Sequence, residues 1–98
     1  MLHEEAKREI LGILDSAVSF EGHFDKCFDN LKESQQEEIL LWVRQCRLER
    51  ANPIKSSKDR EIIEFVKRIG SNIRAILTKE KKGYFLVLFL DMSESLKI

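Results

Sequence analysis

The sequence predicts an α+β fold, in which N-terminal helices pack on one face of a three-stranded antiparallel β-meander. Two turns predict the meander: Gly70-Ser71-Asn72 separates two β-branched, apolar runs, and Lys81-Lys82-Gly83 precedes a third. The first half of the chain instead carries apolar residues at helical spacing. Because the helical segments all precede the strands, the helices are expected to form one layer over the sheet.

A chain of 98 residues is long enough for one domain and too short for two. We therefore predict a single domain over 1–98, with a helical layer at 1–50 and the sheet at 60–90. The longest apolar run, Phe85 to Leu90, is far shorter than the roughly 20 residues of a membrane helix. The N-terminus also lacks the pattern of a signal peptide. We expect a cytoplasmic protein with no membrane partner.

Hydrophobic periodicity predicts helices over 2–18, 20–32 and 34–52. The third begins at a capping box, Ser34-Gln35-Gln36-Glu37, and ends before Pro53. Arginines near its end either form a phosphate-binding ridge or complement the helix terminus and nearby acids, and the second interpretation is favoured. The predicted core consists of Trp42, Phe28, Phe24, Ile39, Val43, Ile76, Val87 and Phe89.

The cysteines and histidines indicate no metal or cofactor site. Cys27 and Cys46 fall at apolar helix positions without Cys-x-x-Cys spacing, so both are interpreted as small buried hydrophobic residues. His3 and His23 lack a partner at ligand spacing and are interpreted as surface residues. No cofactor is predicted, because the chain contains no dinucleotide fingerprint or P-loop.

Charge is unevenly distributed along a chain whose formal net charge is +0. Residues 1–50 contain 7 basic and 11 acidic residues, a net of −4, and residues 51–98 contain 10 basic and 6 acidic residues, a net of +4. This asymmetry favours contact between the sheet and an anion, although chance segregation explains it equally well. The basic residues of the predicted meander are Lys67, Arg68, Arg74, Lys79, Lys81 and Lys82.

Catalysis by a serine or cysteine nucleophile is not expected, because neither histidine lies in a structured, apolar setting. Any chemistry would have to use Lys, Arg, Glu or Tyr. Basic groups on a sheet can hold a phosphodiester and stabilise the charge that develops in its transition state.

From Phe24 to Leu90 the layout resembles the RelE/ParE superfamily of bacterial toxin–antitoxin modules. The resemblance consists of a phenylalanine-bearing helix, a helix ending near Asn-Pro, a strand with Glu-Phe, a glycine turn, a strand with arginine and an apolar strand. Three differences stand out: the family usually opens with a strand; its toxins are usually strongly basic, whereas this chain is neutral; and its active ribosome-dependent members carry basic or aromatic residues where this chain has acidic and serine-rich positions 91–95. The matching residues are Phe24, Phe28, Leu31, Ile39, Trp42, Val43, Asn52, Pro53, Glu64, Phe65, Gly70, Arg74 and Tyr84 to Leu90.

The resemblance implies a RelE-like fold and a metal-independent mRNA endoribonuclease that acts at the ribosome. The expected protein partner is a small antitoxin, and a homodimer is one expected assembly. It implies that Arg74 braces the scissile phosphate and that Lys67 stabilises charge or moves protons. Arg68, Lys79, Lys81 and Lys82 would bind RNA. Two alternatives stay open: a non-catalytic relative that binds a partner through its sheet and first helix, and an unrelated α+β interaction domain.

Overall fold

The computed structural model describes residues 1–53, 55–57 and 61–90, and in this part the α+β class is confirmed. The predicted connector at 55–59 is partly described, and the predicted tail at 91–98 lies outside the described residues. The elements are α1 (His3–Leu14), β1 (Val18–Gly22), α2 (Phe24–Asp29), α3 (Glu33–Arg47), β2 (Lys55–Ser57), β3 (Ile62–Ile69), β4 (Ile73–Glu80) and β5 (Gly83–Leu90). None of the described helices combines the length and apolarity of a membrane span.

The predicted meander exists, but it forms the centre of a larger mixed sheet. Strands β3, β4 and β5 are antiparallel neighbours joined at the two predicted turns. β1 pairs parallel with β5, and β2 pairs antiparallel with β3, which gives the order β1-β5-β4-β3-β2. The described sheet therefore has five strands, two more than predicted. The predicted helices end at Val18 and resume at Phe20, although Val18-Ser19-Phe20-Glu21 alternates apolar and polar residues as a strand does.

The predicted helix bounds need correction at several ends. α1 stops at Leu14 because Asp15 adopts a left-handed conformation, φ 48°. α3 begins at Glu33, and the Lys32 amide donates to Gln35 Oε1 at 3.0 Å, so the reach-back contact comes from Gln35 and not from Glu37. The same helix ends at Arg47, before the predicted Asn52-Pro53 stop, and Glu49 has a φ of 58°.

The core lies between the helices and one face of the sheet. Five of the eight predicted core residues are buried there, all of them on α2 or α3: Phe24, Phe28, Ile39, Trp42 and Val43. The remaining three, Ile76, Val87 and Phe89, are only half-buried. Their strand neighbours take the inward positions instead, because successive side chains of a strand point to opposite faces. The inward residues of β4 and β5 are Ile73, Ala75, Leu77, Tyr84, Leu86 and Leu88.

Gly83 allows the chain before β1 to approach β5. Its φ is 153°, and a Cβ there would collide with the Ala17 carbonyl oxygen. The same carbonyl accepts a hydrogen bond from the Tyr84 amide at 2.8 Å, so this contact begins the parallel pairing of β1. The glycine is therefore required by both the local backbone and the parallel pairing.

Gly83→Ala should lower the free energy of unfolding by about 1–3 kcal/mol, because the alanine would be strained and would displace Ala17. Gly12→Ala is the matched control, since no atom lies within 4 Å of a Cβ at that position of α1. It should stabilise the protein by roughly 1 kcal/mol through helix propensity. Urea denaturation of both variants measures the two effects. A Gly83→Ala variant as stable as the wild-type protein would show that Gly83 is not required.

Candidate anion site on the open face of the sheet

The sheet has two chemically different faces. In the described part of the chain, the helices pack on the face that carries the buried residues of β3, β4 and β5, which we call the helix face. On the other side, the open face, the strand register sets rows of side chains, and the three rows nearest the Gly70 turn concern the site. The rows are Arg68, Arg74 and Phe89; Val66, Ile76, Val87 and Glu21; and Glu64, Thr78, Phe85 and Ser19.

Two arginines lie directly opposite each other in the first row. Arg68 on β3 and Arg74 on β4 are Cα partners in the antiparallel ladder. Like charges in this position are destabilising, with side chains that begin roughly 5 Å apart. Guanidinium groups bind the oxygens of a phosphate or carboxylate through paired hydrogen bonds. Two guanidinium groups on the same face can hold one anion between them, so this pair is the candidate anion site.

The other predicted site residues do not join this pair. Lys67 lies on the helix face, where its Nζ is 3.4 Å from Glu38 Oε1 on α3. Lys79 also lies on the helix face, with its Nζ 3.8 Å from Glu49 Oε1. Lys81 and Lys82 form the turn at the far end of β4, roughly 20 Å from Arg74 at the usual rise per residue. The six basic residues are therefore split among three places.

The sequence contained the information that separates Lys67 from Arg74. Ile69 pairs with Ile73 across the three-residue turn, and this register places Arg68 opposite Arg74 and Lys67 opposite Ala75. A three-residue hairpin loop with a glycine at positive φ is a common geometry, and Gly70 has a φ of 62°. Alternation along β3 then puts Lys67 and Arg68 on opposite faces.

A cavity of about 400 Å³ opens at the same end of the sheet as the arginine pair. It lies between α2 and the ends of β4 and β5. Its lining residues are His23, Lys26, Cys27, Asn30, Ile73, Phe89 and Leu90. Sequence reasoning placed Phe24, Cys27 and Phe28 on the inward face of a helix but did not find this cavity, because β1 was not recognised.

A second charged cluster joins α1 to α2. His3 Nδ1 is 2.6 Å from Asp29 Oδ2, and Lys7 Nζ is 2.6 Å from Asp25 Oδ1. The Lys7 ammonium also lies 5.3 Å from the centre of the Phe20 ring. Within the described residues no group of histidine, cysteine and carboxylate side chains is arranged to hold a metal ion. The His3–Asp29 and Lys7–Asp25 contacts join α1 to α2.

The hydrogen bond with Asp29 raises the pKa of His3, and the nearby charge of Asp25 acts in the same direction. The same hydrogen bond lowers the pKa of Asp29. His3 contributes stability below its ordinary pKa of 6.5 and loses it as the pH rises through the raised value. Asp29 contributes stability above its ordinary pKa of 3.8 and loses it as the pH falls through the lowered value.

We expect the melting temperature to fall modestly as the pH rises above 6.5, because the His3 imidazolium loses its proton as the pH passes through its raised pKa. His3→Gln should flatten that dependence. His23→Gln is the control, since His23 has no carboxylate partner among the described residues, and it should keep the wild-type slope. Thermal melts at several pH values test this, and an unchanged slope in His3→Gln would contradict it.

The cysteines are buried as the sequence predicted, whereas Arg47, expected to complement the terminus of its own helix, contacts the end of α1. Cys27 and Cys46 are both buried and free. Burial raises the pKa of Cys27, and it raises the pKa of Cys46 to about 12, so neither thiol is poised to ionise. Arg47 Nη1 donates to the Leu14 carbonyl at 2.9 Å, which satisfies the end of α1.

One buried polar residue was not found from the sequence. Gln36 on α3 is only 5% exposed, and its Nε2 donates to the Phe28 carbonyl at 3.0 Å, near the end of α2. Gln36 belongs to the predicted capping box, and that motif does not indicate that its side-chain amide donates to a carbonyl of another helix.

Comparison with known proteins adds no relative. The chain matches no protein-family model, and searches of curated proteins and of solved structures also found no match.

Proposed function

We propose that this protein is a RelE/ParE-like toxin of a toxin–antitoxin module, a cytoplasmic endoribonuclease that cleaves mRNA at the ribosome and is neutralised by a small antitoxin. The observation that carries the proposal is the pair of arginines on the open face, Arg68 and Arg74. Arg74 is also the residue that matches the strand arginine of the family.

The order of the elements supports a RelE-like fold. A strand, β1, precedes the phenylalanine-bearing helix α2, as the family pattern requires. α3 and the antiparallel strands β3, β4 and β5 then follow in the expected sequence. The N-terminal helix α1 is an addition before the strand. From the sequence, the chain differed from the family by opening with a helix in place of a strand. With β1 present, the strand is in its family position and the helix precedes it.

Cleavage would proceed by attack of a ribose 2′-oxygen on the neighbouring phosphorus. The new oxygen–phosphorus bond forms a 2′,3′-cyclic phosphate, and the bond to the 5′-oxygen breaks. Arg74 would hold the non-bridging oxygens through two parallel hydrogen bonds, and Arg68 would stabilise the added negative charge. This reaction needs no metal, because the substrate supplies its own nucleophile.

The arginines stabilise charge but do not move protons, since a guanidinium stays protonated in proteins. The 2′-proton must leave to a base, and the 5′-oxygen must receive one. Among the described residues, the open face carries the carboxylates of Glu21, Glu64 and Glu80, each in a different row from the arginines. Lys67 lies on the other face beside Glu38, so we assign it no contact with the same phosphate.

Induction of the protein in a bacterial host tests the proposal directly. The expected result is growth arrest together with new 5′ ends inside translated mRNAs, mapped by primer extension. Purified protein should make the same cuts only when ribosomes are translating the message. A wild-type protein that neither arrests growth nor cuts translated RNA would rule out the enzymatic function.

A second candidate is a non-catalytic relative that binds a partner protein, either the antitoxin alone or a second copy of the chain. The observation that favours it is the apolar middle of the open face, where Val66, Ile76 and Val87 form one row. Phe85 in the next row is 37% exposed. Light scattering of the purified protein tests for a dimer, and Ile76→Asp should break one that uses this face. A dimer that lacks RNA cleavage would favour this candidate.

A further inference from the structure

We propose that two copies of this chain form a dimer through α3, which packs antiparallel against its counterpart about a two-fold axis beside Leu41. The inference goes beyond the proposed function, because α3 packs on the helix face and the arginine pair lies on the open face. A dimer formed by α3 therefore does not use the open face of either copy.

α3 carries a line of exposed apolar side chains opposite its buried face. Leu41 is 57% exposed, and Leu48, the residue that caps the end of the helix, is 61% exposed. They are seven residues apart, which is close to two turns, so they lie in one line along the helix. Single exposed leucines are ordinary, whereas apolar residues at this spacing form the seam by which two helices pair. The buried face on the other side consists of Gln36, Ile39, Trp42, Val43 and Cys46.

Two exposed residues of opposite charge, Glu37 and Arg44, border this line on the same flank of the helix. Neither forms an ion pair with another described residue. They are about 10 Å apart along the axis, so they do not meet within one helix, where neighbouring side chains are three or four residues apart. An antiparallel copy reverses the order of the charges, so that Glu37 of each copy faces Arg44 of the other. A parallel copy would instead place like charges opposite each other.

The same two charges determine the register of the helix pair. A two-fold axis midway between Glu37 and Arg44 brings the glutamate of each copy to the height of the other copy's arginine, and the symmetry forms this contact twice. Leu41 lies within about 1 Å of that axis along the helix, so it packs against its own counterpart. A register in which Leu41 met Leu48 of the other copy would move the axis to Arg44 and bring two arginines together, which is unfavourable.

One helix from each copy makes a small interface. Stable complexes bury about 1,200–2,000 Å² in total, and smaller contacts are typical of weak or transient association. The apolar part of this interface consists of Leu41 and Leu48 from each copy, and its polar part consists of the two Glu37–Arg44 pairs. We therefore expect a weak dimer that dissociates on dilution.

Disulfide formation between introduced cysteines tests the geometry. The helix axes of a packed pair are about 8–10 Å apart, so facing Cα atoms lie within the limit of about 7 Å for a disulfide. Leu41→Cys should therefore form a covalent dimer in air with a copper catalyst. Leu48→Cys is the matched control, since it is similarly exposed but lies roughly 20 Å from its counterpart, and it should link at least about tenfold more slowly. Wild-type protein should not link, because Cys27 and Cys46 are buried.

Exchange of the charges tests the pairing, and sedimentation equilibrium over a range of protein concentrations measures the dissociation constant of the dimer. Glu37→Arg should weaken the dimer at least about tenfold, because it creates two like-charge contacts. Adding Arg44→Glu to that variant should restore the wild-type dissociation constant. Ile76→Asp changes the open face and should leave the dimer unchanged.

Several results would overturn the inference. They are a wild-type protein that is monomeric at every concentration, equal linking of the two cysteine variants, and no recovery when the charges are exchanged. Loss of the dimer in Ile76→Asp would also overturn it, because the interface would then lie on the open face. RNA cleavage by a monomeric protein would leave the proposed function standing without this interface. An α3 dimer that cleaves no RNA would do the reverse.

Discussion

Replacing Arg74 by alanine should abolish growth arrest on induction and reduce cleavage of translated RNA by about 100- to 1,000-fold, the usual effect of removing one charge-stabilising donor. Arg74 lies on the open face opposite Arg68 and matches the strand arginine of the RelE/ParE pattern. Arg74→Lys should restore little activity, because an ammonium cannot hold a phosphate through two parallel hydrogen bonds. Primer extension of a translated mRNA measures the effect.

Lys67→Ala provides the control for this experiment. Lys67 lies on the helix face with its Nζ 3.4 Å from Glu38, so its loss should reduce cleavage less than the loss of Arg74. Arg68→Ala should resemble Arg74→Ala, since the two arginines share one row. Each variant must keep the wild-type circular dichroism spectrum. Equal losses in Lys67→Ala and Arg74→Ala would show that the open face is not the site.

Trp42→Ala should lower the free energy of unfolding by about 3–5 kcal/mol through the cavity that it leaves. Trp42 is 4% exposed on α3, which packs against α1 and the helix face of β3 and β4. For a domain of this size the loss corresponds to a fall in melting temperature of about 15 °C or more. Urea denaturation and a thermal melt check the prediction.

The adjacent residue gives a matched control on the same helix. Leu41 is 57% exposed, so Leu41→Ala should change stability by less than about 0.5 kcal/mol. If the two substitutions cost the same, Trp42 is not a core residue of the protein in solution. A stable Trp42→Ala variant that no longer binds its partner would instead identify Trp42 as an interface residue.

The accuracy of the sequence predictions depended on how local the controlling interactions were. Gly70 and the Lys81-Lys82-Gly83 turn were identified because hairpin turns need particular residues over a few positions. Trp42 was placed in the core because helical periodicity is also local. Phe20 was misassigned, because two helical segments flank it and its strand pairs with β5 more than 60 residues away. No local preference identifies such a partner.

The features of the candidate site divide in the same way, into those set by local sequence and those set by distant contacts. The sequence supplied the arginines and the alternation that puts Arg68 and Arg74 on one face, so the phosphate position was within reach of sequence reasoning. The cavity beside Phe89 was not, because it depends on where β1 stops along β5. The link between His3 and Asp29, at a separation of 26 residues, was likewise invisible, since it depends on how α1 packs against α2.

The sequence by itself determined the helices, the two hairpins and the residues able to bind an anion, because periodicity and turn chemistry act over a few neighbouring positions. The tertiary structure decided which strands flank the meander and which side of the sheet the helices cover, and hence that Lys67 lies on the covered side and Arg74 on the open one. The physical reason is that burial of one face is a property of the whole sheet, and it is fixed only when distant segments pack together.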